Sequence, residues 1–296
     1  MALPTILITT ATGNVGLETL NALQQRPERT QLIIVAGVFN PAKDQQTVVL
    51  LTDRQVRLDF ADPTTFEAAL SGVTRVLLVR PPQLADVDLY FRPFVAAMRK
   101  AEVEQVVFLS LLGVENNSVT PHHKIEKLIV DSGLDYVFLR PSFFMQNLST
   151  THRADIAHRN EIYLPAGRGR TSFIDVADIG EVAALVLSNT TAQYRNKSFE
   201  LTGSEALTYQ EVAEQLTSVL GRRITYKNPS VLAFIWRAWV REKQPLPFVL
   251  VMVALYTVAK LGKAAGLTSV FRELTGHAPR TFRQFAEANR AAWARD

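Results

Sequence analysis

Residues 5–16 read Thr-Ile-Leu-Ile-Thr-Thr-Ala-Thr-Gly-Asn-Val-Gly, an apolar run that stops on small residues and restarts with helical spacing. A strand that feeds a helix through so tight a turn commits the chain to a βα beginning. The two glycines give the turn a second property. Gly13 lets the backbone approach a pyrophosphate, Gly16 lets the new helix lie close to the sheet, and the positive helix end faces the phosphates. Thr10, Thr12, Gly13, Asn14, Val15 and Gly16 are therefore candidate phosphate-binding residues. In a G-x-x-G-x-x-G version of this turn the first glycine falls where Thr10 stands, which bears on affinity rather than on fold.

Apolar runs recur at 5–9, 32–35, 56–58, 75–79, 105–110 and 136–139, with helical patterns between most of them. That alternation argues for a parallel sheet covered on both faces. Helix-start signals agree: Asp62-Pro63 sets an N-cap before a first-turn proline, and Thr208 with Glu211 makes a capping-box pattern. Beyond about residue 150 the rhythm changes to short strands and then, after 199–203, to helices. The expected architecture is α/β. It is a Rossmann-type doubly wound parallel sheet over 1–150, with 174–202 returning to it. A smaller, interleaved, mostly helical C-terminal substrate domain takes 151–173 and 203–296.

With 296 residues, 47% of them apolar, the chain can bury a large core, and disorder is improbable. The absence of cysteine excludes a disulfide framework, thiolate metal sites and a cysteine nucleophile, and fits a reducing cytoplasm. The sequence enters its first strand without a basic or cleavable apolar segment, so a cytoplasmic location is expected. The longest apolar stretch, 246–259, contains Pro247 and is closed by Lys260. It falls short of the roughly 18 residues of a spanning helix and reads as a buried helix. From Arg222 onward there are 13 Lys and Arg against 4 Asp and Glu, so the C-terminal quarter is basic. Solvated helix faces are the plain reading, and an anionic ligand or partner the sharper one. No nucleic-acid motif accompanies the charge.

Ligands of an open parallel sheet bind outside the carboxyl ends of its strands, so candidates follow the apolar runs. After the second comes Phe39-Asn40-Pro41-Ala42-Lys43, where a cation would neutralise a ribose 2′-phosphate. Phe39 does not serve and Lys43 is the nearest cation, while Asp44 lies beyond the strand end; NAD and NADP both remain open. After the third come Asp59 and Phe60, placed to meet an adenine edge, with a turn cap the equal alternative for Asp59. After the fourth come Val79, Arg80 and Pro81, where Arg80 reaches a phosphate or ribose or is a surface arginine.

Ser110 ends the fifth run, and the next helix opens near Pro121-His122-His123-Lys124. Lys124 is the first choice for a catalytic or cofactor-orienting cation, because an ammonium beside a nicotinamide ribose fixes its hydroxyls and favours deprotonation of a nearby acid. The paired histidines diverge by about 100° on a helix and lack a third ligand, so no metal is expected. After the sixth run, Pro141, Ser142 and Phe143 are placed to cover a nicotinamide face. Phe144, Met145 and Asn147 begin an apolar substrate pocket that helices around Trp236 and Tyr256 close. Plain core is the alternative for Phe143 and Phe144. Asp175 and Asp178 read as helix-start caps before acid–base groups. Neither a G-x-S-x-G elbow nor a P-loop is present, so hydrolase and triphosphatase readings have no motif support.

These residues resemble the NmrA-like branch of the atypical short-chain dehydrogenase/reductases over nearly the whole chain. The anchors are Ala11 to Gly16, Val107 to Ser110, His123 to Glu126, Leu139 to Asn147 and Ser172 to Val176. The resemblance implies an NAD(P)-binding Rossmann domain, a small substrate domain, and NAD(P)H-dependent hydride transfer to a quinone-like, carbonyl or unsaturated acceptor. Three positions depart from it. Thr10 replaces a glycine, Phe39 stands where many members have arginine, and Thr120 stands four before Lys124, where standard short-chain reductases place a tyrosine acid. Relatives with that gap include reductases and dinucleotide sensors. The second reading is therefore an NAD(P)-sensing regulatory protein whose basic quarter docks a protein partner. A sugar-nucleotide epimerase is a third, without its Tyr-x-x-x-Lys spacing.

Overall fold

A computed structural model describes residues 3–189 and 192–295; residues 1, 2, 190, 191 and 296, which the expected domain ranges include, lie outside the described residues. In chain order the first elements are β1 (Thr5–Ile8), α1 (Asn14–Gln24), β2 (Ile33–Val38), α2 (Pro41–Val48), β3 (Arg54–Arg57), α3 (Phe66–Leu70), β4 (Arg75–Leu78), α4 (Val87–Lys100), β5 (Gln105–Leu109), α5 (Pro121–Ser132) and β6 (Asp135–Pro141). There follow β7 (Phe143–Phe144), β8 (Glu161–Tyr163), β9 (Arg170–Ile174), α6 (Val176–Ser188), β10 (Lys197–Leu201), β11 (Ala206–Thr208), α7 (Tyr209–Leu220) and β12 (Thr225–Lys227). The last are α8 (Val231–Ile235), α9 (Leu246–Lys260), α10 (Val270–Thr275) and α11 (Phe282–Ala288). They fall into two units, one of residues 1–141, 176–201 and 273–276, the other of 142–175, 202–272 and 277–296.

The first unit is a seven-stranded parallel sheet in the order β10-β6-β5-β4-β1-β2-β3. The chain runs outward from β1 to β3 and then returns to place β4 on the other side of β1. This reversal makes the β1/β4 boundary the switch point where such sheets bind ligands. Strands β1 and β4 are buried at every position, as expected when helices cover both faces. On one face α1 packs on α6 so closely that a Cβ on Gly180 would stand 2.6 Å from the Glu18 carbonyl carbon. On the other, Phe60 meets Phe91 and Phe94 with ring centroids 5.1 Å apart.

Each of the six apolar runs is a strand, with bounds shifted by a few residues. The seventh, β10, lies in the returning 174–202 segment. It is an edge strand whose outer residues are exposed, so it carries no apolar run. The first segment of this unit runs to Pro141 and not to 150, because β7 pairs with β9 in a separate sheet.

The second unit holds the three-stranded sheet β11-β9-β7, the pair β12-β8 and a core that includes Phe173, Tyr209, Phe282, Phe285 and Trp293. Thr208 and Glu211 cap α7 reciprocally, as their spacing indicates. The expectation of a buried helix over the longest apolar stretch needs correction. In α9 only Val249, Met252, Tyr256 and Ala259 are buried, while Phe248, Leu250, Val251, Leu255 and Val258 are exposed. The segment is apolar on every side, but the unit covers only one of them. No helix among the described residues is long and apolar enough to cross a membrane.

Candidate functional site

The turn after β1 is pinned from both sides. Thr9 N–H donates to Leu77 O at 3.0 Å and Ala11 N–H to Gly37 O at 3.2 Å. Thr9 Oγ1 accepts from Val79 N–H at 2.9 Å, and Thr10 Oγ1 donates to Val79 O at 2.9 Å. Thr10 has φ 52°, the left-handed region that suits glycine. A side chain there costs about 1–2 kcal/mol, and the hydroxyl bond returns about 1 kcal/mol of it.

Gly13 N–H donates to Thr10 O at 2.9 Å, and α1 begins with no side-chain cap and no acidic residue in its first turn. The first amides of α1 thus lack helical acceptors and stand at the positive end of its dipole, an arrangement that takes an anion. A Cβ on Gly16 would stand 2.4 Å from Thr10 O and 2.9 Å from Ala11 Cα, so packing demands that glycine. At Gly13 the nearest atom would be 3.2 Å away, which a small shift accommodates. Thr12 and Asn14 are exposed beside this cradle, whereas the Val15 side chain is buried and leaves only its amide for a ligand.

Beyond β2, Phe39 is exposed and Lys43 is exposed with its ammonium unpaired among the described residues. Asp44 accepts from Asn40 N–H at 3.1 Å and so caps α2. Beyond β3, Asp59 Oδ1 accepts from Ala61 N–H at 2.9 Å, which is the turn-cap alternative. The expectation for Phe60 needs correction, since its ring is enclosed by Phe91 and Phe94 and belongs to the core.

Arg80 also departs from expectation. Its Nη1 donates to the carbonyls of Pro81 (3.0 Å), Pro82 (3.1 Å) and Leu84 (3.1 Å), so the side chain ties down its own loop. Burial lowers its pKa. Burial, helped by the Arg80 charge, brings His122 down to about 3, so the imidazole is neutral at pH 7. His123 Nδ1 lies 3.2 Å from Val114 O, and no group of three metal-binding side chains occurs among the described residues.

Ser110 sits at the end of β5, 4% exposed, its N–H donating to Leu139 O at 2.8 Å. Its Oγ is buried without a hydrogen-bond partner among the described residues. Lys124 is exposed in the first turn of α5, and its ammonium has no partner among the described residues. Thr120 is the N-cap of that helix: its Oγ1 accepts from His123 N–H at 3.3 Å and donates to Asn117 O at 2.9 Å. The helix starts at Pro121, so the position four before Lys124 lies off it. Glu126, buried on the same helix, holds Arg140 of β6 by Nη2 to Oε2 at 2.7 Å.

In the second unit, Ser142 Oγ donates to Ser172 O, and Phe143 and Phe144 pair in β7 with Phe173 and Ile174, half-buried. Asn147 and Trp236 are exposed. Two expected pocket residues are corrected. Met145 has no exposed surface and packs in the core. Tyr256 is buried with its hydroxyl against His152 Nε2; burial raises the phenol's pKa and brings His152 down to about 4. Asp175 accepts from Gln146 Nε2 at 2.6 Å, and Asp178 is buried in the first turn of α6.

Sequence reasoning missed three relationships: Thr9 with Val79, Glu126 with Arg140, and His152 with Tyr256. The second was within reach, since both residues lie in the anchors of the family resemblance.

The model of the NmrA-like family matches residues 4–270. The NAD(P)H azoreductase of Xenophilus azovorans is 31% identical over 295 residues, 97% of this chain and 99% of that protein. Quinone oxidoreductase 2 of Escherichia coli (strain K12) is 32% identical over 233 residues, 77% of this chain and 79% of that protein. The crystal structure of the NADPH-dependent quinone oxidoreductase QOR2 of Escherichia coli in complex with NADPH superposes with TM-score 0.83 at 25% identity, covering 96% of this chain and 99% of that one.

Proposed function

The chain belongs to the NmrA-like family, and on that premise we propose that it is an NAD(P)H-dependent oxidoreductase of the atypical short-chain type, working on a small, mostly apolar acceptor such as a quinone or carbonyl compound. The observation that carries the reading is the β1–α1 turn. Its uncapped amides, and a Gly16 whose Cβ would strike Thr10 O, make a backbone cradle of pyrophosphate kind. The orphaned Ser110 Oγ at the end of β5, on the far side of β4 from β1, supplies a further polar contact at the carboxyl ends of the same strands.

In this reading Gly13, Asn14, Val15 and Gly16 hold the diphosphate through their amides, with Thr12 beside them. Lys124 Nζ orients the ribose hydroxyls and is an exposed proton-bearing group in the first turn of α5, whereas Lys127 on the same helix is paired with Asp131. Thr120 supplies no acid, because its hydroxyl is spent on capping. Lys43 reads a 2′-phosphate if NADPH is preferred. Phe143, Phe144, Asn147 and Trp236 select the acceptor, and the work is done in the cytoplasm. When bound, the reduced nicotinamide supplies the hydride.

Calorimetry with NADH and NADPH, followed by acceptor-dependent oxidation across quinones, azo compounds and small carbonyls, tests this. Binding with turnover is expected. Binding without turnover for any acceptor supports the NAD(P)-sensing regulatory reading instead, and absence of binding to either nucleotide removes both.

A further inference from the structure

We propose that the face formed by the Trp236–Arg241 turn and α9 docks on an anionic lipid bilayer, with α9 lying along the surface. No charged residue occurs in α9 before Lys260. Its inner side, Val249, Met252, Tyr256 and Ala259, belongs to the core of the second unit. Its outer side repeats the helical spacing with Phe248, Val251, Leu255 and Val258; Val251 is 56% and Leu255 45% exposed. The preceding turn adds Trp236 (56% exposed), Trp239 and Val240. The two segments adjoin, since Phe248 and Met252 line one recess with Phe234, Ala238 and Gln244. A helix apolar all round belongs between two apolar phases, and a continuous exposed patch of this kind marks an interaction surface.

The charges decide which phase covers the outer side. Arg241 and Lys243 precede α9, and Lys260 and Lys263 close it; all four are exposed, and none pairs with a carboxylate among the described residues. The single carboxylate of 231–263, Glu242, is held by Arg237 at 3.0 Å and Arg159 at 3.2 Å. Both ends of the apolar stripe are thus cationic. A second copy meeting this face with its own would set cations against cations whether the helices ran parallel or antiparallel. Anionic headgroups complement both ends at once. A helix of 15 residues spans about 22 Å, short of the roughly 30 Å hydrocarbon core, so it lies on the bilayer. The tryptophans suit the headgroup level, where an amphipathic ring is favoured. The proposal does not rest on the redox reading.

Co-sedimentation of the full chain with phosphatidylglycerol vesicles and with phosphatidylcholine vesicles tests it. Partition at least about tenfold higher onto the anionic vesicles is expected, weakening as salt is added. Val251→Glu with Leu255→Glu should reduce it about tenfold or more, and Lys243→Glu with Lys263→Glu should abolish the anionic preference. All four positions are exposed, so circular dichroism and the thermal midpoint should stay unchanged and exclude misfolding. Equal partition onto both vesicle types, no partition, or undiminished binding by the folded glutamate variants overturns the proposal. So does a dimer in light scattering that Leu255→Glu dissolves while vesicles remain unbound.

Discussion

Arg140 and Glu126 face each other through a two-pronged contact, Nε to Oε1 at 3.0 Å and Nη2 to Oε2 at 2.7 Å, which ties the end of β6 to α5 two residues beyond Lys124. Glu115 adds a third contact to Nη1 at 3.1 Å. The Glu126 carboxylate raises the Arg140 pKa against the cost of burial. Removing one partner leaves a buried charge unmatched, which costs about 3–5 kcal/mol, whereas an apolar pair of similar size is far less costly. Arg140→Met should therefore lower the urea midpoint strongly, and adding Glu126→Met should recover much of the loss. Additive losses in the double variant would show the two residues to be energetically independent.

The two turn glycines should fail in different ways. Gly16→Ala pushes a methyl to 2.4 Å from Thr10 O, so the backbone must move; loss of both stability and dinucleotide affinity is expected. Gly13 has φ −77° and its nearest Cβ contact at 3.2 Å, so Gly13→Asp should fold with a midpoint near that of the parent. It should nonetheless lose dinucleotide binding, because a carboxylate then meets phosphates at the helix end. Titration of both variants by calorimetry, with thermal melts in parallel, separates the effects. Unchanged affinity in Gly13→Asp removes the phosphate role of the turn.

The sheet was legible because each buried parallel strand is a continuous apolar run and each turn carries its own chemistry. Thr5 to Gly16 is the clearest case. The edge strand β10 was not, since its first two residues, Lys197 and Ser198, are exposed and only Leu201 is buried. Within the site, backbone features were legible and side-chain direction was not. Arg80 could not be known to curl onto the carbonyls of the loop that follows it, nor Phe60 to complete a ring cluster, because both depend on α4 and the loop before it. Tyr256 and Met145 shared the apolar signature of pocket residues and proved to be core, a distinction that burial alone makes. The same limit applies to α9, whose composition reads as buried on all sides.

Lys124 separates turnover from folding. Its ammonium is exposed and makes no hydrogen bond or ion pair among the described residues, so Lys124→Ala should leave the unfolding free energy within about 0.5 kcal/mol of the parent. Turnover should fall by about tenfold or more, with a smaller change in dinucleotide affinity, and Lys124→Arg should recover part of it. Steady-state rates with a quinone acceptor, beside calorimetric affinities, give the comparison. Equal rates in Lys124→Ala would reassign the residue to the helix surface.

Acid should unfold this protein earlier than its carboxylates alone require. Burial brings His152 down to about 4, and burial with Arg80 brings His122 down to about 3, against 6.5 for a free imidazole. Between those values the unfolded chain binds protons that the folded chain refuses, so stability is flat above about pH 6.5 and falls as pH drops below it. The loss from His152 is complete near pH 4 and that from His122 near pH 3. At about 1.4 kcal/mol per pKa unit, each histidine contributes a few kcal/mol over its full window. Urea midpoints at pH 7.5, 6.5, 5.5 and 5.0, values chosen above the range where ordinary carboxylates protonate, isolate this contribution (~4 for Asp and Glu). His152→Gln keeps a hydrogen-bond partner for Tyr256 without a titrating ring, and should reduce the fall between pH 6.5 and 5.0 by about half, the remainder being the share of His122. A slope identical to that of the parent would mean that His152 takes up its proton in the folded state.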